Sequence, residues 1–353
     1  MNPLPEPIEV PGRLCLFGEH SDWAAGYRST HPGLSRGQCL VAGTDQSVHA
    51  RIEPLSGCFE ISSLLPDGSR RGPERIELSG STLQRVAAEG GFFSYAAGVA
   101  ATMVEQYGVE GLRLELYRSD LPLQKGLSSS AAICVLVARA FSRAYGLGLS
   151  VREEMELAYR GERRTGSECG RMDQICALGR RPSLLTLDGE SLEIEPLTPG
   201  ETLWLLIVDL GGSKDTRRIL SDLNACFPDT TGSQAEGVRQ ALGPRNAELV
   251  GRARRALVSG CAEEVGGLMT EAQSLFDSLV APASRELRAP RLHELLAHPA
   301  CAELAWGGKG VGSQGDGCAQ LLVRGSEERD RLAARLQAAL GVRTLPLTIR
   351  PES

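Results

Sequence analysis

Residues 121–132 combine glycine, serine and lysine directly before an apolar run, and this composition suits phosphate binding. Serine is a favourable N-cap residue, glycine lets the backbone approach a ligand, and the first turn of a helix attracts anions. The apolar run Ile133–Phe141 predicts that helix. A helix cap without any ligand is the alternative explanation. The candidate phosphate ligands are Lys125, Gly126, Leu127, Ser128, Ser129, Ser130 and Ala131.

Lysine is rare in this chain, and its positions share one setting. Among 38 basic residues only Lys125, Lys214 and Lys309 are lysines, and each lies beside glycine or serine. A compact ammonium in a glycine loop suits phosphate better than a bulky guanidinium does. The three positions are therefore candidates for phosphate binding, with coincidence as the alternative.

Polar side chains cluster directly after the first predicted strand, Arg13–Phe17. The turn that follows contains Glu19, His20 and Asp22. A carboxylate accepts hydrogen bonds and an imidazole donates or accepts them, so the three side chains suit paired recognition of sugar hydroxyls. A charged loop with no ligand is the alternative.

Two more acidic residues lie at the end of a predicted helix and in the turn after it. Glu162 is followed by Arg163 and Arg164, and Asp173 lies in the turn Cys169–Gln174. A carboxylate can bind Mg²⁺ or accept a proton from a hydroxyl group. Glu162 is thus a candidate metal ligand and Asp173 a candidate base, although surface carboxylates are common.

Three familiar motifs do not apply. Gly310–Gly315 fits G-x-G-x-x-G but leads into a predicted strand, so the dinucleotide interpretation fails on context. His293 and His298 are five residues apart, unlike the histidines of H-E-x-x-H, and point to different faces of a helix. The sequence holds no G-x-x-x-x-G-K-[ST], which argues against a Walker-type ATPase.

The composition favours a soluble protein of two domains. The chain has 353 residues and a formal net charge of −6, which argues against nucleic-acid and anionic-membrane partners. Its ten cysteines include no C-x-x-C pair, as expected of thiols in a reducing compartment. No segment reaches the roughly 18 apolar residues of a membrane span, and the N-terminus lacks signal-peptide features. We therefore expect a cytoplasmic protein.

Apolar runs of strand length alternate with helical stretches, which indicates an α+β or α/β protein. Strands are predicted at Arg13–Phe17, Gln46–Glu53, Leu112–Tyr117, Leu203–Val208 and Cys318–Val323. Helices are predicted at Phe92–Gln106, Ile133–Tyr145, Val151–Arg163, Ala262–Leu279 and Ala289–Leu296. The sequence also predicts a polar turn at Asp67–Pro73, a glycine loop at Gly307–Gly317 and a domain boundary within Pro182–Pro199.

Three segments in this order resemble the motifs of the GHMP kinases, the family of galactokinase, homoserine kinase, mevalonate kinase and phosphomevalonate kinase. They are Pro11–Asp22, Pro122–Ala132 and Gly307–Cys318, and the resemblance covers most of the chain. It implies an α+β fold with an N-terminal domain, residues 1–196, that resembles certain ribosomal proteins and contains a left-handed βαβ unit. A ferredoxin-like C-terminal domain, residues 197–353, would follow.

Within that family, Gly18–Asp22 and Cys169–Gln174 are most similar to galactokinase. The resemblance implies an ATP-dependent kinase that phosphorylates a sugar or polyol hydroxyl, the anomeric one above all. Asp173 would be the base, with Arg13 stabilising the attacking oxygen and the γ-phosphate. The implied sugar contacts are Glu19, His20 and Asp22, the implied ATP contacts are Lys125–Ala131, and Ser130 with Glu162 would hold Mg²⁺ by similarity to mevalonate kinase.

The chain also departs from the family pattern around the implied ligands. Gln124 replaces a glycine of the second motif, Trp23 replaces the tyrosine usual in galactokinases, Gln314 and Asp316 replace small residues, and Tyr27–Leu40 is longer than expected. A kinase for a non-sugar alcohol such as mevalonate, an inositol or an amino-acid hydroxyl is therefore an alternative. A catalytically silent ligand sensor is another, against which the complete Ser128–Ala132 segment and Asp173 argue.

Overall fold

The computed structural model describes residues 7–65, 67–122, 125–212 and 215–351. Gln124 and Lys214, named above, lie outside these ranges. The chain forms two compact units, Met1–Arg13 with Gly43–Arg180 and Leu14–Ala42 with Arg181–Ser353. The ten cysteines all belong to the described ranges, and none of them forms a disulfide. No helix in the same ranges is long and apolar enough to cross a membrane, and the cytoplasmic location stays a prediction.

The strands and helices confirm the expected α+β class. The strands are β1 Ile8–Phe17, β2 Gly37–Pro54, β3 Cys58–Leu64, β4 Arg70–Glu77, β5 Leu112–Ser119, β6 Ser183–Asp188, β7 Ser191–Pro196, β8 Leu203–Asp209, β9 Ala305–Gly310, β10 Cys318–Val323 and β11 Arg343–Ile349. The helices are α1 Ser21–Ala24, α2 Gly80–Glu89, α3 Ser94–Tyr107, α4 Ser129–Ala144, α5 Val151–Arg163, α6 Thr216–Asn224, α7 Ser233–Leu242, α8 Pro244–Ser259, α9 Ala262–Leu279, α10 Pro290–Leu296, α11 Pro299–Leu304 and α12 Ser326–Leu340. Short 3₁₀ helices occupy Ala25–Ser29, Asp173–Leu178, Ala281–Ala283 and Arg285–Leu287.

The first unit packs helices against a sheet in the order β4-β3-β5-β2. Strands β3 and β5 are parallel, whereas β4 pairs antiparallel with β3 and β2 pairs antiparallel with β5. Leu112, Leu114 and Leu116 of β5 are all buried, as their alternation predicts for one face of a strand. This buried face supplies the apolar surface against which the helices pack.

Two helices of the first unit approach each other through glycines. A Cβ atom on Gly161 of α5 would lie 2.5 Å from the Cα of Val99 on α3, so only glycine fits there. The start of α5 is set by a capping box, because Ser150 accepts from the Glu153 N–H and the Glu153 carboxylate accepts from the Ser150 N–H. Both features position Glu162 in the last turn of α5.

The second unit contains a four-stranded antiparallel sheet in the order β11-β8-β10-β9. Helices α10, α11 and α12 share an apolar core with this sheet. A separate core joins α6, α7 and α9 to the aromatic side chain of Trp23. Within this unit, the first part of β2 also pairs with β6, and β6 forms a hairpin with β7.

Two sequence predictions of local structure were wrong. The predicted turn Asp67–Pro73 ends early, because β4 begins at Arg70 and pairs with β3. The start of the predicted glycine loop Gly307–Gly317 is strand β9, in which Gly308 lies opposite Leu321 and leaves room for its side chain. The domain boundary within Pro182–Pro199, a segment that contains the β6–β7 hairpin, and the division after residue 196 stay predictions.

Candidate active site

Arg13 and Asp173 form an ion pair in the first unit. The Arg13 guanidinium is almost fully buried in β1 and donates from Nη2 to Oδ1 of Asp173, whose side chain is 25% exposed. Within the described residues, Nε and Nη1 of Arg13 are buried and make no hydrogen bond. Buried donors of this kind carry a desolvation penalty that an anion would relieve. The arrangement therefore suits a negatively charged ligand next to an oriented carboxylate.

The backbone ties Arg13 to the glycine and serine loop. The Arg13 N–H donates to the Leu127 carbonyl at 3.0 Å, and the Gly12 N–H donates to Oγ1 of Thr44 at 3.0 Å. A Cβ atom on Gly12 would lie 2.8 Å from the Leu127 carbonyl oxygen and 2.5 Å from Cδ1 of Leu121. Glycine at position 12 is therefore what allows β1 to lie so close to the loop.

The loop enters α4 through a strained residue. Gly126 has φ +76° and Ser128, the N-cap, has φ +55°, an uncommon conformation for a residue with a side chain. The Ser128 side chain makes no capping hydrogen bond, which argues against the alternative explanation of a simple helix cap. The Ala132 N–H bonds to the Ser128 carbonyl at 3.0 Å, so Ser129, Ser130 and Ala131 form the first turn, whose N–H groups have no partner within the helix. This helix start suits a phosphate group.

Glu162 is buried and held by two neutral donors. Its Oε1 accepts from Oγ of Ser130 at 3.0 Å, and its Oε2 accepts from Nε2 of Gln174 at 2.8 Å. Burial raises the pKa of Glu162 above its ordinary value, and these hydrogen bonds together with the charge of Arg13 oppose that rise. A cation beside this carboxylate would stabilise its charged form.

Ser130 and Glu162 meet part of the requirement for a magnesium site. Their side-chain oxygens, 3.0 Å apart, are the hard donors that Mg²⁺ prefers, and Mg²⁺ commonly takes one or two protein oxygens beside phosphate and water. Among the residues that the structure describes, no cluster of three or more His, Cys, Asp or Glu could hold a metal alone. The donor set thus fits a Mg²⁺ ion whose coordination a nucleotide completes.

Glu19 forms a buried ion pair in the second unit. Lys309 lies in β9, is 1% exposed, and donates from Nζ to Oε1 of Glu19 and, at 3.0 Å, to the Gly310 carbonyl. The sequence had placed Lys309 in a phosphate-binding loop, and that placement is wrong because β9 pairs along β10 up to Gly310. Its ammonium instead compensates the charge of Glu19.

His20 and Asp22 lie at the start of the short helix α1 and are both buried. His20 is the N-cap residue with φ +67°, and its Nδ1 accepts a hydrogen bond from Nε1 of Trp23 at 3.0 Å. Its ring stacks on Phe276, with 6.1 Å between the ring centroids. The second unit therefore gathers the three residues predicted to bind a sugar.

The structure distributes the predicted residues between the units. Arg13, Asp173, Ser130 and Glu162 meet in the first, where the charge of Arg13 acts on Glu162. The sequence assigned no role to Gln174, although its place beside Asp173 in the Cys169–Gln174 turn was a usable signal. The partner of Glu19 was also missed, and no local signal around Lys309 could have revealed it, because the two residues are 290 positions apart.

Comparison with known proteins finds similarity to kinases of small molecules. Residues 94–180 match the family described as GHMP kinases N terminal domain. A galactokinase of Haemophilus influenzae (strain PittGG) is 28% identical over 299 residues, which cover 80% of this chain and 71% of that protein.

Two solved structures have similar folds. The structure of Lactococcus lactis galactokinase complexed with galactose matches with a TM-score of 0.72 at 18% identity and covers 99% of this chain and 95% of that one. The structure of L. major mevalonate kinase in complex with R-mevalonate matches with a TM-score of 0.72 at 19% identity and covers 98% and 96%. At such low identity, these likenesses establish the fold alone.

Proposed function

We propose that this chain is a GHMP kinase that transfers the γ-phosphate of ATP to a hydroxyl group of a sugar. The observation that carries the proposal is the meeting of Arg13, Asp173, Ser130 and Glu162 in the first unit, where the loop enters α4. The similarity to galactokinases over most of the chain supports a sugar over an isoprenoid acid as the acceptor.

Asp173 and Arg13 act on the acceptor oxygen and the transferred phosphoryl group. Phosphoryl transfer requires positioning and charge stabilisation above all. Asp173 accepts the proton of the attacking hydroxyl group, and its ion pair with Arg13 fixes the direction of its carboxylate. The unpaired Nε and Nη1 of Arg13 in the described structure supply donors for the charge on the phosphoryl group.

The loop and the start of α4 bind the phosphates of ATP. Backbone N–H groups of Ser129, Ser130 and Ala131 point out of the first turn, where the helix dipole is positive. Gly126 and Leu127 provide close backbone approach, Ser128 holds the strained entry to the helix, and Lys125 supplies a cation.

Ser130 and Glu162 would hold Mg²⁺ together with the nucleotide. The ion supplies positive charge that offsets the negative charge of the phosphates. Gln174 donates to the second oxygen of Glu162 and so orients the first toward Ser130. Burial raises the pKa of Glu162 and so disfavours its charged form. A cation at this place would oppose that effect and favour the deprotonated form that ligation requires.

Glu19, His20 and Asp22 recognise the hydroxyl groups of the sugar. They are buried, so each hydrogen bond to a ligand forms away from water and its loss is costly. The galactokinase resemblance favours transfer to the anomeric hydroxyl. A non-sugar alcohol and a silent sensor are the outcomes against which the proposal is tested.

A coupled assay of ADP release, run over aldoses, polyols, inositols, mevalonate and homoserine, tests the function. We expect Mg²⁺-dependent release with one or a few sugars, and ³¹P NMR of the product then identifies the phosphorylated position. The Asp173→Asn variant serves as the control for contaminating kinases. Turnover of mevalonate or homoserine alone, or binding of a sugar without ADP release, would contradict the proposal.

A further inference from the structure

The hydrogen bond between Trp23 and His20 determines where the imidazole carries its proton. The indole N–H of tryptophan can only donate, and Nε1 of Trp23 lies 3.0 Å from Nδ1 of His20. Nδ1 must therefore present a lone pair. Because a neutral imidazole has one donor and one acceptor nitrogen, the proton of His20 resides on Nε2.

The surroundings of His20 also fix the orientation of its ring. The residue is 5% exposed and has φ +67° at the junction of β1 and α1. Its ring stacks on Phe276 with 24° between the planes, while Trp23 packs edge-on against Phe227 with centroids 5.3 Å apart. All these contacts lie within the second unit.

We propose that Trp23 is a positioning residue that holds His20 in the Nε2–H form, so that His20 acts as a hydrogen-bond donor in substrate recognition. The proposal rests on the proposed function, in which His20 contacts the sugar. Glu19 has the complementary role, because Lys309 compensates the charge of its carboxylate and a carboxylate can only accept. A hydroxyl group satisfies either partner, since it both donates and accepts.

This assignment gives Trp23 a purpose that its packing alone does not provide. Tryptophan and tyrosine both carry a polar group on an aromatic ring, but the two groups bond differently. A phenol hydroxyl can donate or accept, so it does not impose one form on the imidazole. The indole N–H does, and His20 of this chain therefore has a single hydrogen-bonding pattern.

The form of His20 is measured by NMR on the full chain with ¹⁵N-labelled histidine, in two-bond ¹H–¹⁵N spectra at pH 7.5. The chain has five histidines, and the signals lost in His20→Gln identify His20. We expect the wild type to show a protonated Nε2 and an unprotonated Nδ1. A protonated Nδ1, alone or together with Nε2, would overturn the proposal whether or not the chain phosphorylates a sugar.

The Trp23→Phe variant tests the role of the indole N–H. We expect an appreciable population of the Nδ1–H form and a KM for the acceptor about tenfold higher, with the KM for ATP and kcat little changed. The matched control is Tyr27→Phe, which removes the 2.9 Å bond from the Tyr27 hydroxyl to Asn224 within the same aromatic cluster. It should leave both readouts at the wild-type values.

Each outcome bears on one claim only. An unchanged His20 form in Trp23→Phe would refute the role of Trp23, as would an equal rise of the acceptor KM in Tyr27→Phe. Absence of any kinase activity in the wild type would refute the proposed function and leave the NMR result standing. If Trp23→Phe fails to fold, the spectrum of the wild type still decides which nitrogen carries the proton.

Discussion

Lys309 and Glu19 form an ion pair whose charged side chains are 2% and 5% exposed. Both residues are in the second unit, Lys309 on β9 and Glu19 after β1. A buried pair of this kind is weak evidence for added stability, because desolvation offsets much of the attraction. Its clearer consequence is that the Lys309 ammonium fixes the direction of the Glu19 carboxylate.

Lys309→Met should destabilise the protein by about 3 to 5 kcal/mol, because it leaves the Glu19 carboxylate buried without its partner. Thermal and urea denaturation measure the loss. The double variant Lys309→Met/Glu19→Gln should recover much of it, since both charges are then gone. As a control, Arg252→Met breaks the exposed pair with Glu271 and should change stability by less than about 1 kcal/mol. Equal losses in the two single variants would argue against a buried pair.

Asp173→Asn should lower kcat by about 10²- to 10⁴-fold while sugar and ATP still bind, because the amide cannot take the hydroxyl proton. Steady-state kinetics and calorimetric titration with both ligands separate the two effects. The exposed carboxylate of Asp229 offers the matched control, Asp229→Asn. Retention of more than about a tenth of the wild-type kcat by Asp173→Asn would assign the base to another residue.

Glu162→Gln should raise the Mg²⁺ concentration needed for half-maximal rate and slow the transfer. The alternative is that Glu162 only stabilises its own helix. In the structure its carboxylate bonds to Ser130 and Gln174, whereas the neighbouring Arg164 pairs with Glu105. A Mg²⁺ titration decides between them, since an unchanged midpoint with a lower Tm would favour the helix role.

The raised pKa of Glu162 also predicts how stability depends on pH. Between the ordinary glutamate value of about 4.3 and the raised value, the folded state binds more protons than the unfolded state. The contribution of Glu162 to stability therefore falls as pH rises through this range. Glu162→Gln should remove that fall, so denaturation midpoints measured without Mg²⁺ should be at least equal to those of the wild type at pH 7.

Asp22→Ala should raise the KM for the sugar strongly and leave the KM for ATP nearly unchanged. A buried hydrogen-bond partner is lost, at a cost of roughly 1 to 3 kcal/mol in acceptor binding. Initial rates with each substrate varied in turn provide the comparison. A similar increase in both KM values would reject the division of roles between Asp22 and the phosphate loop.

Gly12→Ala should destabilise the first unit by about 1 to 3 kcal/mol, because the new Cβ atom would lie 2.8 Å from both the Leu127 carbonyl oxygen and Oγ1 of Thr44. The KM for ATP should rise as well, since the Leu127 carbonyl accepts from Arg13. Gly26→Ala is the matched control, as a Cβ atom there meets nothing within 4 Å. Equal Tm changes in the two variants would show that the close approach at Gly12 does not matter.

Elements with a strong local signal were predictable from the sequence. Helix α5 has the predicted bounds Val151–Arg163 because a capping box and a clear apolar face act on the same residues. Strand β10 likewise has its predicted bounds, Cys318–Val323. In the first unit Ser130 contacts Glu162 and Arg13 contacts Asp173, while the roles assigned to these residues from the sequence stay predictions.

Features that depend on distant parts of the chain were not predictable. The glycines of β9 suggested a loop, yet Gly307 is required because α9 passes close to it at Gly266. Lys309 suggested phosphate binding, yet its partner is 290 residues away in the sequence. Local composition cannot reveal such contacts, because the strand pairing that creates them is itself non-local.

The same separation has a consequence for biosynthesis. Glu19 emerges from the ribosome 290 residues before Lys309, which at typical rates of about 5 to 20 residues per second is roughly 15 to 60 s. The first unit is complete once Arg180 has been synthesised. The Leu14–Ala42 segment belongs to the second unit and cannot make its contacts with β9 until that strand has been synthesised. A nascent chain that stops before β9 therefore carries a Glu19 carboxylate that it cannot bury beside Lys309. This unburied charge distinguishes the unfinished chain from the complete protein.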